Sequence, residues 1–294
     1  MQNLRSIAFM TLAMAGFAIE DSLIKALTFE LPIAQILISL GLGGTLVFTG
    51  LALINKHQFF PPDLLSWPFM IRFFSETLAA FFFLLAIAMI PLSTASTILQ
   101  SVPILVTAGA AVFLGQTVGP RRWGAILFGF SGVVLVIQPG IDGFHWGSVL
   151  AFIGAIFLAS RDLSTRVMNP NLPTLVVAAY GFFAALLAGV MMVPLSTPFI
   201  MPTVAQWLQI MAIVFFGVIA YAAIVASTRT GDLAAVAPFR YSRLIFVLII
   251  SVVVLGESPD LITIIGAVII VSSGLYSFLR ERRLAHLDAI NNGH

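Results

Sequence analysis

Charge is scarce in this sequence, and where it falls inside long apolar runs its spacing suggests pairing. Glu20 and Asp21 precede Lys25 in the first run, and Arg161 and Asp162 precede Arg166 in the sixth. Arg72 and Glu76 stand four apart in the third, and Pro238-Phe239-Arg240-Tyr241-Ser242-Arg243 interrupts the ninth. Residues four apart share a helical face, so Asp21–Lys25, Asp162–Arg166 and Arg72–Glu76 are each set to pair. Two guanidiniums beside a phenol suit a carboxylate and a planar group. In the fourth run, Thr97, Gln100 and Ile104 share one face among Ser93, Ser96, Ser101 and Pro103. Tyr180, Tyr221 and Phe74 are further aromatics that can flank a pocket at that depth.

A charge in hydrocarbon costs about 2.5–3.5 kcal/mol on insertion scales, so each such residue needs a partner or a purpose. With a purpose, Arg240, Glu76 and Gln100 handle a zwitterionic head group, and Tyr241, Tyr221, Tyr180 and Phe74 hold its side chain, with Thr97 on the same wall. Glu20, Asp21 and Asp162 are then gating or coupling residues. With partners only, the helix-end charges snorkel to the interface, the arginines pair with Glu76 or Glu20, and the hydroxyls bond their own backbone. Catalysis has little to work with. There is no cysteine, no lysine follows a glycine, and His57, His145, His286 and His294 are scattered among joins and the tail. The expectation is no enzyme, no cofactor, no metal site and no nucleic-acid partner.

The positioning elements follow from composition. Of 294 residues, 60% are hydrophobic and 9% charged, with a mean hydropathy of +1.08. Soluble domains carry about 25% charged residues, so lipid is the solvent that suits this chain. Charges, Pro and Gly divide it into ten candidate spans, at 4–27, 33–54, 68–90, 92–115, 122–138, 145–165, 173–193, 205–227, 233–255 and 260–280. With the N-terminus inside, the inner segments collect Arg5, Lys56, Arg121, Arg122, Arg166, Arg229, Arg280, Arg282 and Arg283. The outer joins collect Glu30, Asp142, Glu257 and Asp260, with Lys25 the nearby cation. This is a positive-inside pattern with both termini cytoplasmic. Trp67, Trp123, Trp146 and Trp207 each fall near a helix start, where an indole suits the interface.

The chain also repeats itself. Leu31-Pro32 returns as Leu172-Pro173, Asp21 as Asp162, Leu92 as Leu233, and Leu114-Gly115-Gln116 as Leu255-Gly256-Glu257, all at one spacing. Five spans reverse direction, so residues 1–141 and 142–283 form two halves of opposite orientation, followed by a tail at 284–294. The expected fold is all-α and integral to the membrane, ten transmembrane helices as two inverted five-helix repeats. Small-residue faces, Ala125/Gly129/Gly132 and Gly266/Ser273/Gly274, read as helix packing and leave a homodimer open.

These residues resemble the paired EamA modules of the drug/metabolite transporter superfamily. Leu255-Gly256-Glu257 stands where that family ends its penultimate helix, Leu114-Gly115-Gln116 is the degenerate copy, and Pro103 and Arg72 match family positions. The resemblance implies a ten-helix protein of the bacterial inner membrane with a central cavity. Its nearest likeness is to exporters of aromatic amino acids. The expected function is export of neutral or aromatic amino acids and related metabolites by alternating access. Transport of drugs, sugars or purines is one alternative, and a non-transporting membrane subunit another.

Overall fold

A computed structural model describes residues 2–140, 143–230 and 236–291. Asp142, Leu233 and His294, and the side chains of Arg229, Arg282 and His286, lie outside the described residues. Every regular element among the described residues is helical. That is what lipid requires, since a helix satisfies its backbone polar groups within one segment. The helices are α1 (Gln2–Leu27), α2 (Ile33–Ile54), α3 (Trp67–Met89), α4 (Leu92–Leu99), α5 (Val102–Phe113), α6 (Pro120–Ile137), α7 (Trp146–Arg166), α8 (Thr174–Met192), α9 (Val204–Thr230), α10 (Ser242–Val253) and α11 (Leu261–Asn291). Nine stretches among the described residues are long and apolar enough to cross a membrane, with α4 and α5 counted as one crossing. The four tryptophans are exposed within the first turn or so of α3, α6, α7 and α9.

Two expected helices are broken. The fourth span, read as continuous over 92–115, ends α4 at Leu99 and restarts as α5 at Val102. Pro103 sits in the first turn of α5; a proline there has no amide to donate and would clash with the carbonyl one turn back, at Leu99. The ninth span, expected over 233–255, is in its described part a 3-10 turn, Ala237–Tyr241, followed by α10. Pro238 occupies the turn's start for the same reason. Arg240 therefore lies on a tight turn rather than on a regular helix. At the other extreme α11 outruns its expected end, continuing as one helix to Asn291 through most of the segment read as a tail.

The dominant packing is crosswise. α1 lies against α9, α2 against α8, α3 against α7, and α6 against α11. Glycines permit the closest approaches: a Cβ on Gly41 would overlap the backbone of Leu186 across α2–α8. The small-residue faces meet each other across α6–α11. Gly132 fits beneath Ile269 and Ile270, Gly129 lies against Ser273, and the Ser273 hydroxyl donates to the Ala125 carbonyl. These faces are thus occupied within the chain. Gly41→Ala is expected to cost about 1–3 kcal/mol through overpacking, read as a lowered melting temperature in detergent. Gly50→Ala, where nothing lies within 4 Å of the new methyl, should leave the melting temperature unchanged.

Candidate functional site

The crossed helices enclose a cavity of about 270 Å³. Its wall takes Phe17, Glu20 and Asp21 from α1, Glu76 and Phe83 from α3, and Arg161 and Asp162 from α7. Tyr221 comes from α9, Gln100 from the α4–α5 break, and Arg240 and Arg243 from the turn and start of α10. Both broken crossings thus deliver polar groups to the centre. The breaks also touch: the Gln100 side-chain amide donates to the Tyr241 carbonyl at 3.3 Å.

The charges form a chain. Arg72 Nη2 lies 3.2 Å from Glu76 Oε2, its neighbour one turn on. Arg161 Nη1 donates to Glu76 Oε1 at 2.9 Å, while its Nε and Nη2 both reach Asp162 Oδ1, at 2.9 and 2.8 Å. Asp162 Oδ2 faces Arg240 Nη1 at 3.6 Å. On the opposite wall Arg243 pairs tightly with Asp21 and lies 5.3 Å above the ring of Phe17. Glu20 is buried, lines the cavity, packs against Gly217 and forms no ion pair among the described residues.

Several expected partnerships are therefore corrected. Asp21 and Asp162 bind arginines, and neither Asp21–Lys25 nor Asp162–Arg166 pairs among the described residues; both aspartates line one cavity. Glu76 is held by Arg72 and Arg161, so the expected link from Glu76 to Arg240 is absent. Thr97 donates to the Ser93 carbonyl and stays inside its own helix. Tyr241 turns its ring onto Gly274 of α11, and its hydroxyl, buried there, has no partner among the described residues. Tyr180 stacks on Phe59 and meets Phe69 edge-on, away from the cavity. Phe74 is 51% exposed on the outer surface. Of the expected residues, Glu20, Asp21, Glu76, Gln100, Asp162, Tyr221 and Arg240 share the cavity wall.

Arg161 was not among the expected site residues, although it joins Glu76 to Asp162. Its signal was available. Arg161 occupies the repeat position of Glu20, so one charged site recurs with the opposite sign.

Lys25 and Glu257 work elsewhere, at the corner between α3 and α4. The Lys25 ammonium donates to the carbonyls of Ile87 and Ile90 at 2.7 and 3.0 Å. The Glu257 carboxylate accepts from the amides of Leu92 and Ser93 at 2.7 and 3.0 Å and from the Ser93 hydroxyl at 2.7 Å. A cation thus caps the end of α3 and an anion the start of α4, each matching the helix dipole it meets. Gly256, at φ +67°, makes the turn that aims Glu257. The motif read in the sequence is a helix cap delivered from another span.

Comparison with known proteins bears on this geometry. The model of the EamA-like transporter family matches twice, over residues 4–138 and 145–279. A riboflavin transporter of Rhizobium johnstonii is 25% identical over 236 residues, 80% of this chain and 75% of its own. An S-adenosylmethionine uptake transporter of Rickettsia bellii is 24% identical over 196 residues, 66% of each chain. A pseudopaline exporter of Pseudomonas aeruginosa is 27% identical over 272 residues, 88% of this chain and 91% of its own. One solved crystal structure superposes with a TM-score of 0.61 at 21% identity, over 92% of this chain and 98% of that one. That likeness shows a shared fold.

Proposed function

We propose that this chain, which belongs to the EamA-like transporter family, carries small zwitterionic metabolites, neutral and aromatic amino acids foremost, by alternating access through the central cavity. One observation carries the substrate class. Among the described residues, Glu20 of the cavity has no ion-pair partner and Arg240 has one ion-pair contact, at 3.6 Å, its side chain 40% exposed. Every other cavity carboxylate and guanidinium is closely paired. One uncommitted anion and one loosely held cation suit an ammonium and a carboxylate on the same molecule. Phe17, Phe83 and Tyr221 offer an apolar and aromatic wall beside them. The cavity lies just below the 300–1,000 Å³ typical of drug-sized ligand pockets, which favours a small metabolite. A charged cavity among helices apolar enough to cross a membrane also argues against a purely structural membrane subunit.

The double family match and the crosswise packing support two inverted halves, 1–141 and 142–283. The arginine-rich joins support both termini in the cytoplasm and residence in a bacterial inner membrane. Export is the direction we assign, as is named for the Pseudomonas relative.

Proteoliposomes test the substrate. Labelled phenylalanine should enter liposomes preloaded with unlabelled phenylalanine. Phenethylamine, lacking the carboxylate, and phenylpropionate, lacking the ammonium, should each be carried roughly tenfold less well, as for loss of one charge-assisted contact of about 1.4 kcal/mol. Glu20→Gln should narrow the gap between phenylalanine and phenylpropionate. Uptake no greater than in empty liposomes, or equal handling of all three, would sink the reading. The relatives' names favour a second reading, so riboflavin and S-adenosylmethionine belong in the panel. Uptake of either in place of amino acids would assign the cavity to that chemistry.

A further inference from the structure

Asp21 and Asp162 occupy equivalent repeat positions, and each meets an arginine of the same short segment, Arg243 and Arg240. Yet the two pairs are unlike. Asp21 follows Glu20, another anion, so Arg243 is the guanidinium that compensates it; the pair is tight and Asp21 is only 8% exposed. Asp162 follows Arg161, which already grips Oδ1 through two nitrogens. Only Oδ2 is left to Arg240, at 3.6 Å. Asp162 can therefore release Arg240 without becoming a lone buried charge. Asp21 cannot release Arg243 on the same terms.

We propose that Asp162 is an internal stand-in for the substrate's carboxylate. It occupies Arg240 when the cavity is empty and yields to the substrate when the cavity fills. This rests on the zwitterion reading above and extends it to the return of the unloaded protein. A guanidinium does not give up its proton, so in a membrane interior Arg240 must always have an anion. Glu20 differs, because a lone carboxyl can be neutralised by a proton from water. With substrate bound, the substrate's carboxylate satisfies Arg240 and Asp162 rests on Arg161. With substrate gone, Asp162 Oδ2 is the anion that the described geometry holds nearest to Arg240. The unloaded protein then carries no uncompensated guanidinium and can change conformation. No covalent step is involved: one ion pair replaces another at Arg240.

Two flux modes separate this role from a structural one. Exchange of internal for external phenylalanine uses loaded states only, whereas net efflux into substrate-free medium needs the empty protein to return. Asp162→Asn keeps the shape and an oxygen for Arg161 but removes the competing charge. It should retain exchange, with KM lowered several-fold, while net efflux falls roughly tenfold or more, equivalent to at least ~1.4 kcal/mol on the empty return step. Asp162→Glu, which keeps the anion, should retain both modes. Equal loss of both modes in a normally melting Asp162→Asn protein would overturn the stand-in, as would net efflux that is unchanged. Should Asp162→Asn fail to fold, Asp162→Glu decides: net efflux lost while exchange survives would count against a role for the charge. A wild-type protein silent in both modes marks failure of the zwitterion reading, and the stand-in falls with it.

Discussion

Arg243→Ala should destabilise the protein by about 3–5 kcal/mol, the range for removing one partner of a buried ion pair. The substitution strands Asp21, a buried carboxylate whose chain neighbour is the equally buried Glu20. It also removes the guanidinium that lies over Phe17. Two adjacent acids would then face the cavity without the guanidinium that pairs with Asp21, and the α1–α10 contact would lose its polar core. Thermal unfolding in detergent should shift downward sharply, or the protein should fail to accumulate in the membrane. Asp21→Asn combined with Arg243→Gln should recover much of the loss, since two neutral amides can bond each other without an orphaned charge. A single variant melting like wild type would contradict the pairing itself.

Arg240→Ala should do the reverse, sparing the fold and sharply reducing transport. Arg240 is partly exposed to the cavity, and its one ion pair among the described residues is long, so little stability depends on it. Removing a charged group that meets an opposite charge in a desolvated site typically costs 2–5 kcal/mol of binding. At about 2.7 kcal/mol, that is roughly a 100-fold fall in Vmax/KM for phenylalanine. Arg240→Lys should regain part of it, because a lysine keeps the charge but not the forked geometry. Unchanged phenylalanine flux in Arg240→Ala would remove this arginine from the site.

The two variants also mark what the amino-acid sequence discloses. The crossings were legible because about 20 apolar residues between polar joins have one economical solution in lipid. The tryptophans at helix starts were legible for equally local reasons, whereas the breaks at Pro103 and Pro238 were not, because each proline lies within a run long enough to read as one span. Partners were not. Spacing along one helix sees only that helix, so it joined Asp21 to Lys25, whereas the fold joins Asp21 to Arg243, 222 residues away. It joined Asp162 to Arg166, where the true partners are its neighbour Arg161 and the distant Arg240. Of the three pairs four apart, Arg72–Glu76 is the one the fold keeps, and even there Arg161 joins from α7. Tyr241 illustrates a second limit. Its position beside two arginines suggested a cavity aromatic, but ring direction is decided by how closely Gly274 lets α11 approach. Gln100 meets Tyr241 where the two broken crossings touch, a contact between residues 141 apart that no spacing along one helix could disclose.

The crosswise packing of α1 on α9, α2 on α8 and α3 on α7 has a consequence for biogenesis. Helices leave the ribosome in order, yet each of these early segments finds its main neighbour only once α7, α8 or α9 has been made. Until then Glu20, Asp21, Arg72 and Glu76 sit in a half-built bundle, and Arg161 and Arg243, which pair with Glu76 and Asp21, are still to be synthesised. Of these charges only Arg72 and Glu76 can pair at once, being on one helix. The nascent chain must therefore be sheltered, at the translocation channel or by an insertion factor, for the time it takes to translate more than a hundred residues. A chain stopped after its fifth crossing would present unpaired acids to lipid, and quality-control proteases would be expected to clear it.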